Sequence, residues 1–557
     1  MVSRSRWQLR FIALAAAILA WCSSAGAATE KQTVCTITVN SHDEQATFRR
    51  HLPESKYNFV ELVERGRPDW LTSSCRRAVA CDVLIVSAHF DGDNSFFSDR
   101  LETSEYLTVN ELERVSCSDS CPTLFSRLKE VYLFGCNTLS SAPLTSASAE
   151  IVRGLVREGQ SLRLAEKHLQ SLTAAHGESS RDRMRQVFTN VPVIYGFSST
   201  APLGPTAGAT LERYFRGGGG REIGRGRVSP GLLRAFAPFS MASAAGMTDK
   251  DPHIQARRDM CQFADDRLSD ATRLGFVHEL LQRPAGEARL YLDRIQRLTT
   301  SLDEQVRRAP PVARALEAIE NDAAARTRFL ALARGAEQPP VRVRLVNVAR
   351  DLGWLSSGER WQELASMLGE LQARKEVDVP EVDLACSLNH ERDLDGAFSR
   401  RVAPGGPSDD VAHAAMRACL GSEEGRARTL AGLVSPKEAD VRVAQAYLRH
   451  RPITDSAELR RVAADIADMD PGEAQVRALE TLARHYVSDR EVVDTLTQLF
   501  SRTPSAPVQN AIAGILLRAD RDAIASAQIL QTVREKRHPT RGATSMVEAL
   551  IERLESR

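Results

Sequence analysis

At 557 residues and 43% apolar side chains, the chain is long enough for two or three domains with sizeable cores. Lysine plus arginine (73) nearly equals aspartate plus glutamate (72), so no global excess draws it to nucleic acid or to an anionic membrane surface. That balance excludes the bulk polyanion binders and leaves enzymes and protein-binding scaffolds.

The first 27 residues form a separate kind of segment. Arg4, Arg6 and Arg10 precede an apolar run from Phe11 to Trp21, which gives way to Ser23-Ser24-Ala25-Gly26-Ala27. This is the pattern of a secretory signal with an Ala-x-Ala cleavage site near Ala27. The run of about eleven apolar residues falls short of the roughly 20 needed to span a bilayer, so no transmembrane segment is expected after cleavage. Cys22 follows a bulky Trp21 where a lipoprotein box needs a small residue. The expected location is periplasmic or secreted. Cysteines 35, 75, 81, 117, 121, 136, 261, 386 and 419 remain, and an odd number leaves at least one thiol unpaired unless pairing is intermolecular. Export favours disulfides, with Cys75 and Cys81, and Cys117 and Cys121, as the local candidates. Their spacings do not match paired CxxC zinc knuckles, and neither a metal nor a cofactor is expected.

Residues 28–215 alternate between strand and helix patterns. Strands are expected over 34–39, 59–63, 83–88, 131–135 and 191–197, and helices over 43–51, 70–80, 109–114, 121–128, 149–176 and 181–188. A polar loop rich in Asp, Ser and Asn follows His89. Alternation of this kind predicts an α/β domain with a mostly parallel sheet flanked by helices. Residues 216–248 open with Arg216-Gly217-Gly218-Gly219-Gly220-Arg221. They lack the GxxxxGK[ST] order of a phosphate loop and read as a Gly/Arg-rich linker or loop.

From 249 to 557 strand signals vanish and amphipathic helices take over. The segment from Asp440 to His450 (DVRVAQAYLRH) returns 35 residues later from Gln475 to His485 (QVRALETLARH). Looser copies start at Pro507, Pro340 and Asp410. This resembles HEAT or HEAT-like repeats, an all-α solenoid in which each helix pair buries its apolar stripe against the next. The resemblance implies a protein partner bound through the repeats; a generic helical bundle is the plainer alternative.

Two apolar runs end in residues that can do chemistry. Val83-Leu84-Ile85-Val86-Ser87-Ala88 leads into His89, and Val131-Tyr132-Leu133-Phe134-Gly135 into Cys136. In parallel sheets ligands bind past the carboxyl ends of the strands, so neighbouring strands would bring imidazole and thiol together as base and nucleophile. Ser87-Ala88-His89-Phe90-Asp91-Gly92 and Leu133-Phe134-Gly135-Cys136-Asn137-Thr138-Leu139 resemble the caspase-like cysteine peptidases, within them the bacterial CHAT-type members. The resemblance implies peptide-bond hydrolysis of a protein or peptide substrate. In that family glycine follows the histidine at once; here Phe90 and Asp91 intervene before Gly92. Backbone N–H groups at Cys136 and in the Phe90 to Gly92 loop are the candidate oxyanion donors, and Gly135 leaves room for a carbonyl to approach the sulfur. The resemblance places Ser198, Ser199 and Thr200 where the family lines its specificity pocket. Asp91, Asp93 and Asp99 crowd the loop after His89, as a solvated face or facing a basic group. Gly196-Phe197-Ser198-Ser199-Thr200 lacks the second glycine of GxSxG, and HExxH is absent, which disfavours serine hydrolases and the commonest metallopeptidases. The alternative is a catalytically inactive peptidase-like scaffold of the cell envelope whose repeats mediate protein–protein interaction.

Overall fold

The computed structural model describes residues 30–64, 70–92, 94–98, 105–142, 151–152, 156, 159–176, 179–392, 394–395, 410–538 and 546–556. The expected signal segment with Cys22, Asp93, Asp99 and the start of the long helix expected at 149–176 lie outside them. The chain divides into two compact units, one ending at Ala325 and the other running from Arg326.

The first unit is built on six strands in the order β2-β1-β3-β7-β8-β9. These are β1 (Gln32–Thr38), β2 (Tyr57–Glu64), β3 (Val83–Ser87), β7 (Glu130–Phe134), β8 (Val193–Phe197) and β9 (Met241–Ala244). All neighbours run parallel except β9, which is antiparallel to β8. β3, β7 and β8 are buried along their full length, which is why they read as unbroken apolar runs. Side chains alternate between two faces. On one, Cys35, Leu84, Val86, Val131 and Ile194 pack with Leu112, Val115, Met184 and Val187. These come from the helices Val109–Cys117 and Ser180–Val187. On the other face, Val34, Ile85, Tyr132, Tyr195 and Phe197 meet Phe48, Leu211 and Phe215 of the helices Asp43–His51 and Gly204–Arg216.

Three local expectations are corrected. The loop after His89 contains a small antiparallel sheet of β4 (His89–Phe90), β5 (Ser95–Phe97) and β6 (Tyr106–Thr108); strands of two or three residues are too short to show a period. Residues 121–128 form turns instead of a helix. There Leu124 is buried and its carbonyl accepts from Cys81 N–H at 3.2 Å. The stretch 216–248 is part of the domain: it carries the helix Pro230–Ala235 and β9, and its glycines close the amino-terminal edge of the sheet. The N–H groups of Gly224, Arg225 and Gly226 donate to the Glu130 carboxylate at 2.8–2.9 Å. Gly224 and Gly226 reach this curvature at φ +75 and +64, a region glycine enters without cost. The glycine-rich loop thus cradles an internal anion.

Disulfides join Cys35 to Cys81, Cys75 to Cys121, Cys117 to Cys261 and Cys386 to Cys419. All four local candidates are therefore bridged, but to other partners. β1 and β3 lie side by side, bringing Cys35 beside Cys81 at the entry to β3. Cys75, on the helix Thr72–Arg76, packs in one cluster with Cys121. Cys117 ties its helix to Ile254–Ala264, so the sheet-containing unit extends past 215 to include helices of the region expected to be repeats.

The second unit is helical. Helices Glu438–His450, Glu473–Leu482, Ala506–Leu516 and Met546–Glu555 stack in succession, and Ser456–Ala467, Arg490–Arg502 and Ala527–Lys536 form a second row. The repeated segments starting at Asp440, Gln475 and Pro507 all fall in the first row. Buried Gln475 donates to the Ile466 carbonyl at 2.9 Å, and buried Gln509 to that of Phe500 at 3.0 Å. Each glutamine satisfies the end of the preceding helix, so Gln509 is the counterpart of Gln475.

Candidate functional site

β3 and β7 are hydrogen-bonded neighbours in register to their last residues, Ser87 opposite Phe134. His89 and Cys136 each lie two residues past that pair, beyond the ends of strands spaced about 4.8 Å apart. The two chains keep close contact beyond the paired ends. Ala88 N–H donates to the Phe134 carbonyl at 3.3 Å, and a Cβ on Gly135 would stand 2.9 Å from Phe90 Cβ and 3.1 Å from the Ala88 carbonyl oxygen. Gly135 is thus required by the approach of the histidine segment, a contact that any side chain would push apart.

Cys136 is half-buried and is the one free cysteine among the described residues. Its Sγ accepts the Ala201 N–H at 3.3 Å. Asn137, next in the chain, adopts φ +59, a left-handed turn that asparagine tolerates better than most residues. Asn137 N–H donates to the Ser199 carbonyl at 2.7 Å. Thr138 Oγ1 donates to the Gly135 carbonyl at 3.1 Å and accepts Phe197 N–H at 3.1 Å, which binds the cysteine turn to the end of β8. His89 is half-buried, with its ring tilted against Phe97 at 5.5 Å between centroids.

Of the candidate oxyanion donors, Asp91 N–H is committed to the Ser95 carbonyl at 3.2 Å. Phe90 is buried, packed on Phe96. The N–H groups of Cys136 and Gly92 have no acceptor among the described residues. Gly92, at φ +91, comes close to Asn137: a Cβ on it would lie 4.0 Å from Asn137 Cβ. The Asp91 carboxylate accepts from the N–H groups of Asn94 and Ser95 at 2.8 and 3.0 Å, which gives it a role in shaping the β4–β5 turn. Ser198 hydroxyl donates to the Ser240 carbonyl at 3.2 Å, and Ser199 and Thr200 are exposed beside the cysteine turn.

Several residues here carried no sequence signal. Ala201 acts through its backbone, and Thr138 through a position fixed only by the turn. Glu44, near the start of the helix that follows β1, is 3% exposed. Its Oε2 is buried without a hydrogen bond, and burial pushes its carboxyl up to about 7. The helix expected over 181–188 runs Ser180–Val187, and Ser179 accepts from Asp182 N–H as its cap at 3.1 Å; its contacts to the site carried no sequence signal. Among the described residues no group of three or more His, Cys, Asp and Glu side chains is placed to hold a metal ion, and no helix is long and apolar enough to cross a membrane. Comparison with protein-family models, curated proteins and solved structures finds no match for this chain.

Proposed function

We propose that this is an exported, periplasmic or secreted, caspase-like cysteine endopeptidase with Cys136 as nucleophile and His89 as its base, followed by HEAT-like helices that engage a protein partner. The observation that carries this reading is the register of β3 against β7, which releases histidine and cysteine at the same level of one sheet edge. In the reaction His89 takes the thiol proton as sulfur attacks the peptide carbonyl carbon. The same imidazole then protonates the leaving amine, and water hydrolyses the resulting thioester. The Cys136 and Gly92 N–H groups would receive the oxyanion, a contribution of about 3 to 4 kcal/mol per donor in other enzymes. The Ala201 N–H aimed at Sγ is a donor suited to an anionic sulfur.

One observation favours the inactive-scaffold reading. Phe90 and Asp91 are taken up by the β4–β5 hairpin, leaving the oxyanion site with a donor three residues past the histidine instead of next to it. A thiol-reactive peptide probe decides between the two. In an active peptidase it labels Cys136, Cys136→Ala abolishes labelling and peptide turnover, and His89→Ala lowers the labelling rate at neutral pH. Turnover surviving in Cys136→Ala sinks the proposal; labelling of Cys136 that is indifferent to His89 leaves the scaffold.

A further inference from the structure

We infer that the first turn of the helix Ser180–Val187 is a positioning clamp for the Cys136–His89 pair, with Ser180 and Arg183 as positioning residues; this rests on the dyad reading above. The histidine sits on a strand of two residues, too short to fix its own geometry, so its placement depends on what holds the turn that follows. Ser180 hydroxyl donates to the Gly92 carbonyl at 2.5 Å, and Arg183 Nη1 donates to Asn94 Oδ1 at 3.0 Å. Between these two residues, Arg181 N–H donates to the Ser140 carbonyl at 3.0 Å. Ser140 N–H in turn closes on the Asn137 carbonyl at 3.0 Å. One helical turn therefore grips the segment after the histidine with two side chains and the segment after the cysteine with its backbone. Because the three contacts leave one rigid element, the spacing between the two loops is set by helix geometry.

The clamp is itself anchored. Arg183 Nε donates to Glu113 Oε1 at 3.0 Å, and Arg294 meets both Glu113 oxygens at 2.7 and 2.9 Å. Glu113 is fully buried. Burial alone would raise its carboxyl, but Arg294 and Arg183 hold it down at about 2. A planar fork held by a buried carboxylate has little freedom to swing, so Arg183 presents its remaining nitrogens to Asn94 and, at 3.3 Å, to Asn110. Arg294 belongs to the helix Leu292–Ser301, so the helices that follow the sheet contribute to the alignment of the pair.

The test needs no substrate. The full chain is alkylated with iodoacetamide across roughly pH 5 to 9, and modification of Cys136 is followed by mass spectrometry of its peptide, since the thiolate fraction and its partners set the rate. Ser180→Ala and Asn94→Ala each remove one arm without stranding the buried charge; Ser180→Thr keeps the hydroxyl, and His89→Ala is the reference. The expected result is a pH profile for Ser180→Ala and Asn94→Ala displaced toward that of His89→Ala. Roughly tenfold slower reaction near neutrality is expected, the scale of a small misplacement, with the melting temperature unchanged and Ser180→Thr restored to the parent profile. Should Ser180→Ala not fold, Asn94→Ala carries the same test. Profiles coincident with the parent in both variants, while His89→Ala is displaced, overturn the clamp and leave the dyad standing. A His89→Ala profile identical to the parent overturns both.

Discussion

The two edges of the central sheet are built on opposite principles. At the amino-terminal edge every buried carboxylate is fully paired: Glu130 takes three backbone N–H groups and the Tyr132 hydroxyl at 2.7 Å, and Asp82 takes Thr33 N–H at 2.9 Å and Lys129 at 3.0 Å. At the carboxyl-terminal edge stand a free thiol, a left-handed asparagine, and Glu44 with a bare buried oxygen. One edge satisfies its buried charges; the other holds a free thiol, a left-handed turn and an unpaired buried oxygen, at the edge where ligands bind in parallel sheets.

Substitutions at the two edges should therefore fail differently. The largest effect is expected from Glu130→Ala, which leaves three N–H groups and a phenol without their acceptor. Urea unfolding should show a loss of about 3 to 5 kcal/mol, while folded molecules still alkylate at Cys136 at the parent rate. A loss below about 1 kcal/mol would show that the glycine loop holds without its anion.

Glu44→Gln should act in the other direction and only above a certain pH. The folded carboxyl is raised from 4.5 to about 7 by burial, so its stabilising contribution is complete below pH 4.5 and is lost as pH rises through 7. The parent should lose about 3 kcal/mol across that window through this group alone, and the glutamine variant should not. Parallel stability curves for the two proteins between pH 4 and 8 would remove Glu44 from the comparison. The smallest effects are expected at Asn137. Asn137→Gly should change stability by no more than about 0.5 kcal/mol, because glycine's ease at φ +59 offsets its entropy in the unfolded chain. Asn137→Val should cost about 1 to 2 kcal/mol and slow Cys136 alkylation, since the turn that follows the sulfur must open.

What the sequence disclosed follows the same division. The strands of the sheet interior were legible because burial on both faces leaves only apolar residues, as in Val83-Leu84-Ile85-Val86. His89 and Cys136 were legible as the first reactive residues after such runs. The β4–β6 sheet was hidden in a polar loop because its strands hold two or three residues each. The role of 216–248 was hidden because a backbone cradle for a carboxylate needs glycines but no characteristic partner nearby: Glu130 lies 94 residues before Gly224. Ser180 and Arg183 were invisible as site residues for a similar reason, since their contacts cross 88 and 89 residues. Cysteine pairing is not legible from proximity in sequence, because the register of β1 on β3 decides where Cys35 meets its partner.

That pairing also bears on how the protein is made. In the second unit Cys386 and Cys419 are consecutive cysteines and can close as soon as both reach an oxidising compartment. In the first unit none of the three bridges joins cysteines that are neighbours in order: Cys35 passes over Cys75, Cys75 passes over Cys81 and Cys117, and Cys117 must await Cys261, 144 residues later. If its cysteines were oxidised in the order in which they emerge, neighbours would pair first, and the native set would then be reached by thiolate exchange. Until the sheet closes, Cys136 is among the thiols that can attack those early bridges. The native set of the first unit is thus one that pairing neighbours in order cannot reach directly.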